Sequence, residues 1–168
     1  MPRRLLRDHR IVVDDWRYAG DPEIAAGAAV PGTAVPLILN FAVWLTERAR
    51  WEDYGGPLGV LLAPAHAVEQ LAPDLARFAC VAAEFPGPSE GRGYTQGRLL
   101  RERYRFAGEL RATGHVGRDQ LFFLARCGFN SFELPEAELE PARAALATFS
   151  AAYQSANDAG LAAKLARR

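Results

Sequence analysis

Gly59-Val60-Leu61-Leu62-Ala63 and Cys80-Val81-Ala82-Ala83-Glu84-Phe85 are short, nearly continuous apolar runs, and the stretch between them, Ala65 to Phe78, has helical spacing broken by Pro73. Apolar runs of this length that do not alternate with polar residues fit parallel strands in a sheet buried on at least one face. The rhythm continues towards the C-terminus. A helix ending near Arg103 and Tyr104 leads into a strand at Glu109 to Thr113. A helix from Arg118 to Cys127, capped by Gly128, leads into Ser131 to Leu134. A last helix from Glu136 carries Leu139, Ala142, Leu146, Phe149 and Tyr153 at helical spacing, and the tail from Ser155 continues it or frays.

Strands that alternate with helices imply parallel crossovers and an α/β fold. Successive βα units without an obvious reversal point favour a half-TIM-barrel-like sheet, with an open doubly wound sheet as the alternative. Before Pro57 the pattern is less regular. Arg10 to Trp16 reads as a strand closed by a turn at Gly20-Asp21-Pro22; Val35 to Leu39 reads as an edge strand, set among Pro31, Gly32 and Pro36; Asn40 caps a helix from Ala42 to Trp51. The expected organisation is one α/β domain: an N-terminal strand and helix extension over 1–57, a βα core over 58–135 and a C-terminal helix over 136–168.

The bulk numbers narrow the function classes. The 168 residues are 49% hydrophobic, with 20 basic residues against 20 acidic ones. This is ordinary globular usage, without the broad basic face of a nucleic-acid-coating protein. Lys164 is the sole lysine, a composition that a GC-rich bacterial genome explains. The basic N-terminus has no signal-like apolar run behind it, and no stretch approaches the ~20 apolar residues of a membrane span. Cys80 and Cys127, far apart in apolar surroundings, fit structural thiols in a reducing cytoplasm. Trp16, Trp44 and Trp51 read as core or interface aromatics.

In both candidate architectures ligands gather at the carboxyl ends of the strands. Those ends fall at Pro64 to His66, Glu84 to Gly93, Gly114-His115 and Glu133 to Glu136. The turn from Ser89 to Arg98 is the richest of them. There Gly91 and Gly93 permit close backbone approach, a helix beginning near Tyr94 or Thr95 presents unpaired N–H groups, and Arg92 and Arg98 supply forked donors for sulfite, sulfate, phosphate or carboxylate. The competing reading is a plain glycine turn with solvated arginines. A dinucleotide fingerprint is misspaced, because five residues separate Phe85 from Gly91 and three separate Gly93 from Gly97. His115 and Glu84 are the acid–base candidates at strand ends, and Arg111 is a further cation that either joins the site or forms an ion pair. His9, His66 and His115 do not have a metal-ligand spacing, and no cofactor motif is evident.

Phe85-Pro86, Gly91-Arg92-Gly93-Tyr94, Arg98-Leu99-Leu100-Arg101, Gly108-Glu109-Leu110-Arg111-Ala112, Asp119-Gln120-Leu121 and Arg126-Cys127-Gly128-Phe129 together resemble an uncharacterised proteobacterial family. Its members are labelled as oxidoreductases involved in sulfite reduction, because their genes lie beside those of assimilatory sulfite reductase. The resemblance covers about Gly59 to Phe132 and implies a place in sulfur assimilation. Arg92, Tyr94, Arg98, Arg111, Asp119 and Gln120 match the family pattern and carry over as site candidates. Glu90 stands where relatives have aspartate, and two acidic positions are replaced by His115 and Asn130.

Three functions follow as expectations. The first is an accessory protein or small enzyme of sulfite and sulfate assimilation that binds a small oxyanion at the turn, any redox cofactor residing on a partner. The second is a non-catalytic module that docks on the sulfite reductase complex or forms a homodimer. The third is a lyase or isomerase acting on a phosphorylated or carboxylated small molecule through His115 and Glu84.

Overall fold

The computed structural model describes residues 2–20 and 35–150. The turn residues Asp21 and Pro22, the breakers Pro31 and Gly32, the side chain of Phe149, Tyr153 and the tail from Ser155 lie outside them. Eight strands form one sheet: β1 (Arg4–Arg7), β2 (Arg10–Val13), β3 (Arg17–Tyr18), β4 (Leu37–Asn40), β5 (Leu58–Leu62), β6 (Phe78–Phe85), β7 (Glu109–Gly114) and β8 (Ser131–Phe132), in the order β2-β1-β8-β7-β6-β5-β4-β3. From β3 to β8 every neighbouring pair is parallel; β1 runs antiparallel to both β8 and β2. Strands β4 to β8 are neighbours in chain order. The reversal point that defines a doubly wound sheet is therefore missing from this run, and the sheet is an open, curled half-barrel.

The chain itself requires the curl. Strands β2 and β3 lie at opposite edges of the sheet, yet only Asp14, Asp15 and Trp16 join them. Laid flat, eight strands would separate those edges by about 34 Å, whereas the step from Val13 to Arg17 spans at most about 14 Å. Side chains tie across the concave face at two further points, where Asp14 meets Arg111 of β7 and where Tyr18 of β3 meets Glu133 just after β8.

Helices cover the convex face: α1 (Phe41–Glu52), α2 (Val68–Leu71), α3 (Arg92–Arg98), α4 (Leu121–Arg126) and α5 (Leu139–Ser150). Asn40 caps α1 as expected, its side chain accepting the Ala42 N–H at 2.9 Å. Pro73 turns the second helix into a 3₁₀ segment over Ala72–Arg77, and α3 widens into a π turn over Leu99–Arg103. The core draws on alternate strand residues, among them Leu39, Val60, Leu62, Val81, Phe85, Leu110 and Phe132, packed against Trp44, Trp51, Leu121, Leu139 and Leu146. The intervening residues Ile38 and Cys80 line the concave side with Trp16.

Two expectations for the first residues need correction. The strand at Val35 to Leu39 is not an edge, because the two-residue strand β3 pairs beyond it and Pro36 contributes its carbonyl to Arg17. Arg10 to Trp16 is not one strand but β2 and the linker to β3, and β1 pairs with β2 through a hairpin at Asp8-His9, both at positive φ. That turn lacks the glycine or asparagine that usually marks it.

Replacing Asp14 with alanine removes one carboxylate from a fully buried guanidinium. The expected loss is about 3–5 kcal/mol of unfolding free energy, measured by urea denaturation; a loss below about 1 kcal/mol would show that the curl does not depend on this contact.

Candidate functional site

The polar groups fall into two regions, one on the concave face and one at the carboxyl-end turn. On the concave face the alternation of β7 sends Glu109, Arg111 and Thr113 away from the helices, while Leu110 and Ala112 enter the core. Arg111 is fully buried. Its Nε bonds Glu109 at 2.9 Å, Nη1 reaches Glu133 at 2.9 Å and Asp14 at 3.1 Å, and Nη2 reaches Asp14 at 2.9 Å and Glu109 at 2.8 Å. Each nitrogen of the guanidinium thus donates to a carboxylate of the chain itself, and the Nη2–Glu109 contact adds an ion pair. Burial works to lower the Arg111 pKa, but the facing carboxylates outweigh it and hold the group above its ordinary value.

The network extends outward. Arg3 binds Asp14 and stacks over the Tyr18 ring at 5.2 Å; Arg7 binds Glu109 at 3.1 Å. Glu133 also accepts from Tyr18 Oη at 2.6 Å and from Thr113 Oγ1 at 2.7 Å. Burial, reinforced by the Glu133 charge and hydrogen bond, pushes the Tyr18 phenol well up, so it remains a donor. Burial likewise raises the Cys80 thiol on this face, which suits a structural cysteine. Glu84 lies half-buried on the same face, in register with Thr113.

The turn at the carboxyl end of β6 is built differently. Glu90 Oε1 accepts from the Arg92 backbone N–H at 3.0 Å and from Arg92 Nε at 2.9 Å, and Oε2 accepts from Nη2 at 2.8 Å. Three donors of one residue therefore converge on one carboxylate. The side-chain bonds from Arg92, followed by its backbone N–H, draw the Glu90 pKa down to about 2. The Arg92 side chain is 64% exposed. Tyr94 packs edge-on against Phe85 and meets Gln120, and burial raises its phenol pKa. Asp119 precedes Gln120, whose Oε1 accepts the Gly117 N–H at 2.7 Å.

The structure gathers some of the nominated residues and separates others. Glu90 and Arg92 bond directly, while Tyr94, Asp119 and Gln120 form a second group beside them. His115 is exposed on the loop after β7, its backbone N–H on the Phe85 carbonyl at 2.5 Å. Arg98 is a turn and a half further along α3, paired with Glu102 at 3.5 Å. Arg111 stands apart from all of these, since its neighbours lie on the opposite side of the sheet from α3 and its donors are taken.

The glycines also divide. A methyl group at Gly93 would fall 2.4 Å from Phe85 Cζ, and one at Gly97 2.4 Å from Phe129 Cε2. Both residues let α3 lie close on the aromatic layer, so Gly93 serves packing. Gly91 has open space around it. Their spacing of four, one helical turn, was the available signal for this role. Asn130 is an anchor: Oδ1 accepts from Leu110 N at 2.8 Å and Arg101 Nη2 at 3.2 Å, and Nδ2 donates to Asp8 at 3.1 Å.

A sequence profile described as "Bacterial protein of unknown function (DUF934)" matches residues 59–163. The chain belongs to the DUF934 family. No curated protein matches it. The DUF934 match begins inside β5, so it contains Glu109, Arg111, Thr113 and Glu133 but none of their partners Arg3, Arg7, Asp14 and Tyr18. Among the described residues of this DUF934 protein, no group of acidic, histidine or cysteine side chains has the geometry to hold a metal ion, and no helix is long and apolar enough to cross a membrane.

The Glu90 assignment is measurable by NMR. Its carboxyl resonance should titrate with a midpoint of about 2 and return to the ordinary carboxylate range in Arg92→Ala. Because the pKa is lowered on folding, the contact should be fully formed above the unfolded value near 4.5 and be lost as pH falls through about 2.

Proposed function

We propose that the protein is an accessory protein or small enzyme of bacterial sulfite and sulfate assimilation that takes a small oxyanion at the Ser89 to Arg98 turn. The observation that carries this reading is the convergence of Arg92 N, Nε and Nη2 on the Glu90 carboxylate. A planar carboxylate with three charge-assisted bonds has the chemistry an external oxyanion would offer. In this reading Glu90 is a resident competitor, and an incoming anion takes its place on the exposed guanidinium. The metabolic setting rests on the family resemblance of the Gly91 to Tyr94 and Arg98 to Arg101 blocks.

The test is a thermal-shift titration with sulfite, sulfate and phosphate. At ten times the Kd an anion adds about 1.4 kcal/mol, or roughly 3–5 °C in Tm for a chain of this length. Glu90→Gln should strengthen the response and Arg92→Ala should abolish it. Stabilisation that survives Arg92→Ala would place the anion elsewhere.

A docking reading draws support from Phe123, which is 60% exposed on α4 and stacks against Phe122 at 5.6 Å. An exposed aromatic of this kind suits a protein partner. Co-purification with sulfite reductase that is lost in Phe123→Ser would favour it; unchanged recovery would count against it.

A further inference from the structure

Strand β2 forms one margin of the sheet, and among the described residues no strand pairs with its outer side. The register shows which backbone groups this leaves. Arg7 lies opposite Arg10 across the two-residue turn, Leu5 lies opposite Val12, and just beyond them the Asp14 N–H donates to the Arg3 carbonyl at 2.8 Å. Bonded pairs alternate along an antiparallel ladder, so Arg10, Val12 and Asp14 turn their N–H and C=O groups towards β1. Those of Ile11 and Val13 point off the edge. Val13 is also 48% exposed. An open row of this kind is a template for one more strand.

The side chains say what that strand must carry. Ile11 packs against the helix-covered core, so Ile11 and Val13 lie on the convex face and Arg10 on the concave one. Arg10 is exposed, and its side chain has no hydrogen bond or ion pair among the described residues. Directly opposite, Arg7 shares the concave face and has its Nη1 on Glu109 at 3.1 Å. Like charges facing each other across a strand pair are unfavourable, and Glu109 is already shared with Arg111. The turn that enforces this pairing is firmly held. Asp8 and His9 both have positive φ, and Asn130 grips Asp8 through its carbonyl at 2.9 Å and its side-chain amide at 3.1 Å. The hairpin thus presents a fixed cationic pair beside an open backbone row.

We infer that β2 is a docking edge for an extended segment of a partner protein in which acidic and apolar residues alternate. The backbone of that segment continues the ladder on Ile11 and Val13, its carboxylates meet Arg10 on the concave face, and its apolar side chains lie beside Val13 on the convex one. The β2 strand of a second copy does not supply this chemistry. Its only nearby concave-side carboxylate is Asp14, which Arg3 and Arg111 already hold. The competing role for Arg10 is a charge that merely guards the edge against self-association.

The experiment titrates the isotope-labelled full chain with two synthetic hexapeptides, one alternating glutamate and valine and the other lysine and valine, followed by NMR. The glutamate peptide is expected to shift the Ile11 and Val13 amides, to slow their exchange with water and to bind about tenfold more tightly than the lysine peptide, the worth of one charge-assisted bond. Arg10→Glu should reverse the preference. Val13→Pro removes an N–H that no bond within the chain uses, so the sheet should stay folded while peptide binding is lost. Equal affinities for the two peptides, binding that persists in Val13→Pro, or no change at Ile11 and Val13 would overturn the inference and leave Arg10 as an edge guard. A dimer of the chain alone, seen by sedimentation and lost in Val13→Pro, would also overturn it by giving the edge to a second copy. None of these readouts involves Arg92, so the oxyanion reading stands or falls separately.

Discussion

The Arg111 guanidinium, buried on the concave face of β7, is bonded to carboxylates from three separate parts of the chain: Asp14 in the linker between the edge strands, Glu109 on its own strand and Glu133 just beyond β8. Burying these charges costs several kcal/mol per ion, and packed hydrocarbon would often hold a core as well or better. What the network supplies is geometry. Only a sheet curled enough to bring the linker over β7 gives Nη2 of the guanidinium its hydrogen bond to Asp14, and the same curl lets Tyr18 reach Glu133 from the far side. The short Asp14–Trp16 linker imposes that curl, and Arg111 gives it one setting.

Much of the chemistry of the protein is spent inside by this arrangement. The concave face of a half-barrel is where side chains from several strands are able to converge, yet here much of its charge is already paired within the chain. The turn after β6 instead carries its charge near the surface, in the ion pair of Arg92 with Glu90. Tight packing positions that turn: Gly93 and Gly97 bring α3 against Phe85 and Phe129, and Arg101 ties the π turn to the carbonyls of Phe106, Gly108 and Gly128. A rigid helix with an exposed arginine at its start and a buried glutamine one turn on is the outcome.

The boundaries of the DUF934 match acquire a physical meaning here. The matched stretch begins inside β5 and contains β6, β7 and β8 whole, but both margins of the sheet come from residues before it. The first eighteen residues supply β1 and β2 on one side, then β3 on the other, and bring Arg3, Arg7, Asp14 and Tyr18 to the charges of the matched region. The N-terminal segment therefore completes the charge balance of the concave face.

The sequence by itself determined the parallel core. Runs such as Gly59 to Ala63 and Cys80 to Phe85 are too short and too apolar to be anything but covered strands, and Asn40, Pro73 and Gly128 punctuate the helices through local backbone chemistry that needs no tertiary partner. It also pointed to the Ser89 to Arg98 turn, since glycine and arginine at a strand-to-helix junction are visible as composition. Tertiary structure alone decided the partners. Asp14 and Arg111 are far apart in the chain, and nothing in the surroundings of either announces the other; Glu109-x-Arg111-x-Thr113 showed polar residues alternating on one strand, but not what they face. Whether an arginine awaits a ligand or is already bound depends on which carboxylates the curl of the sheet delivers to it, and that is a property of the closed chain, not of any local stretch.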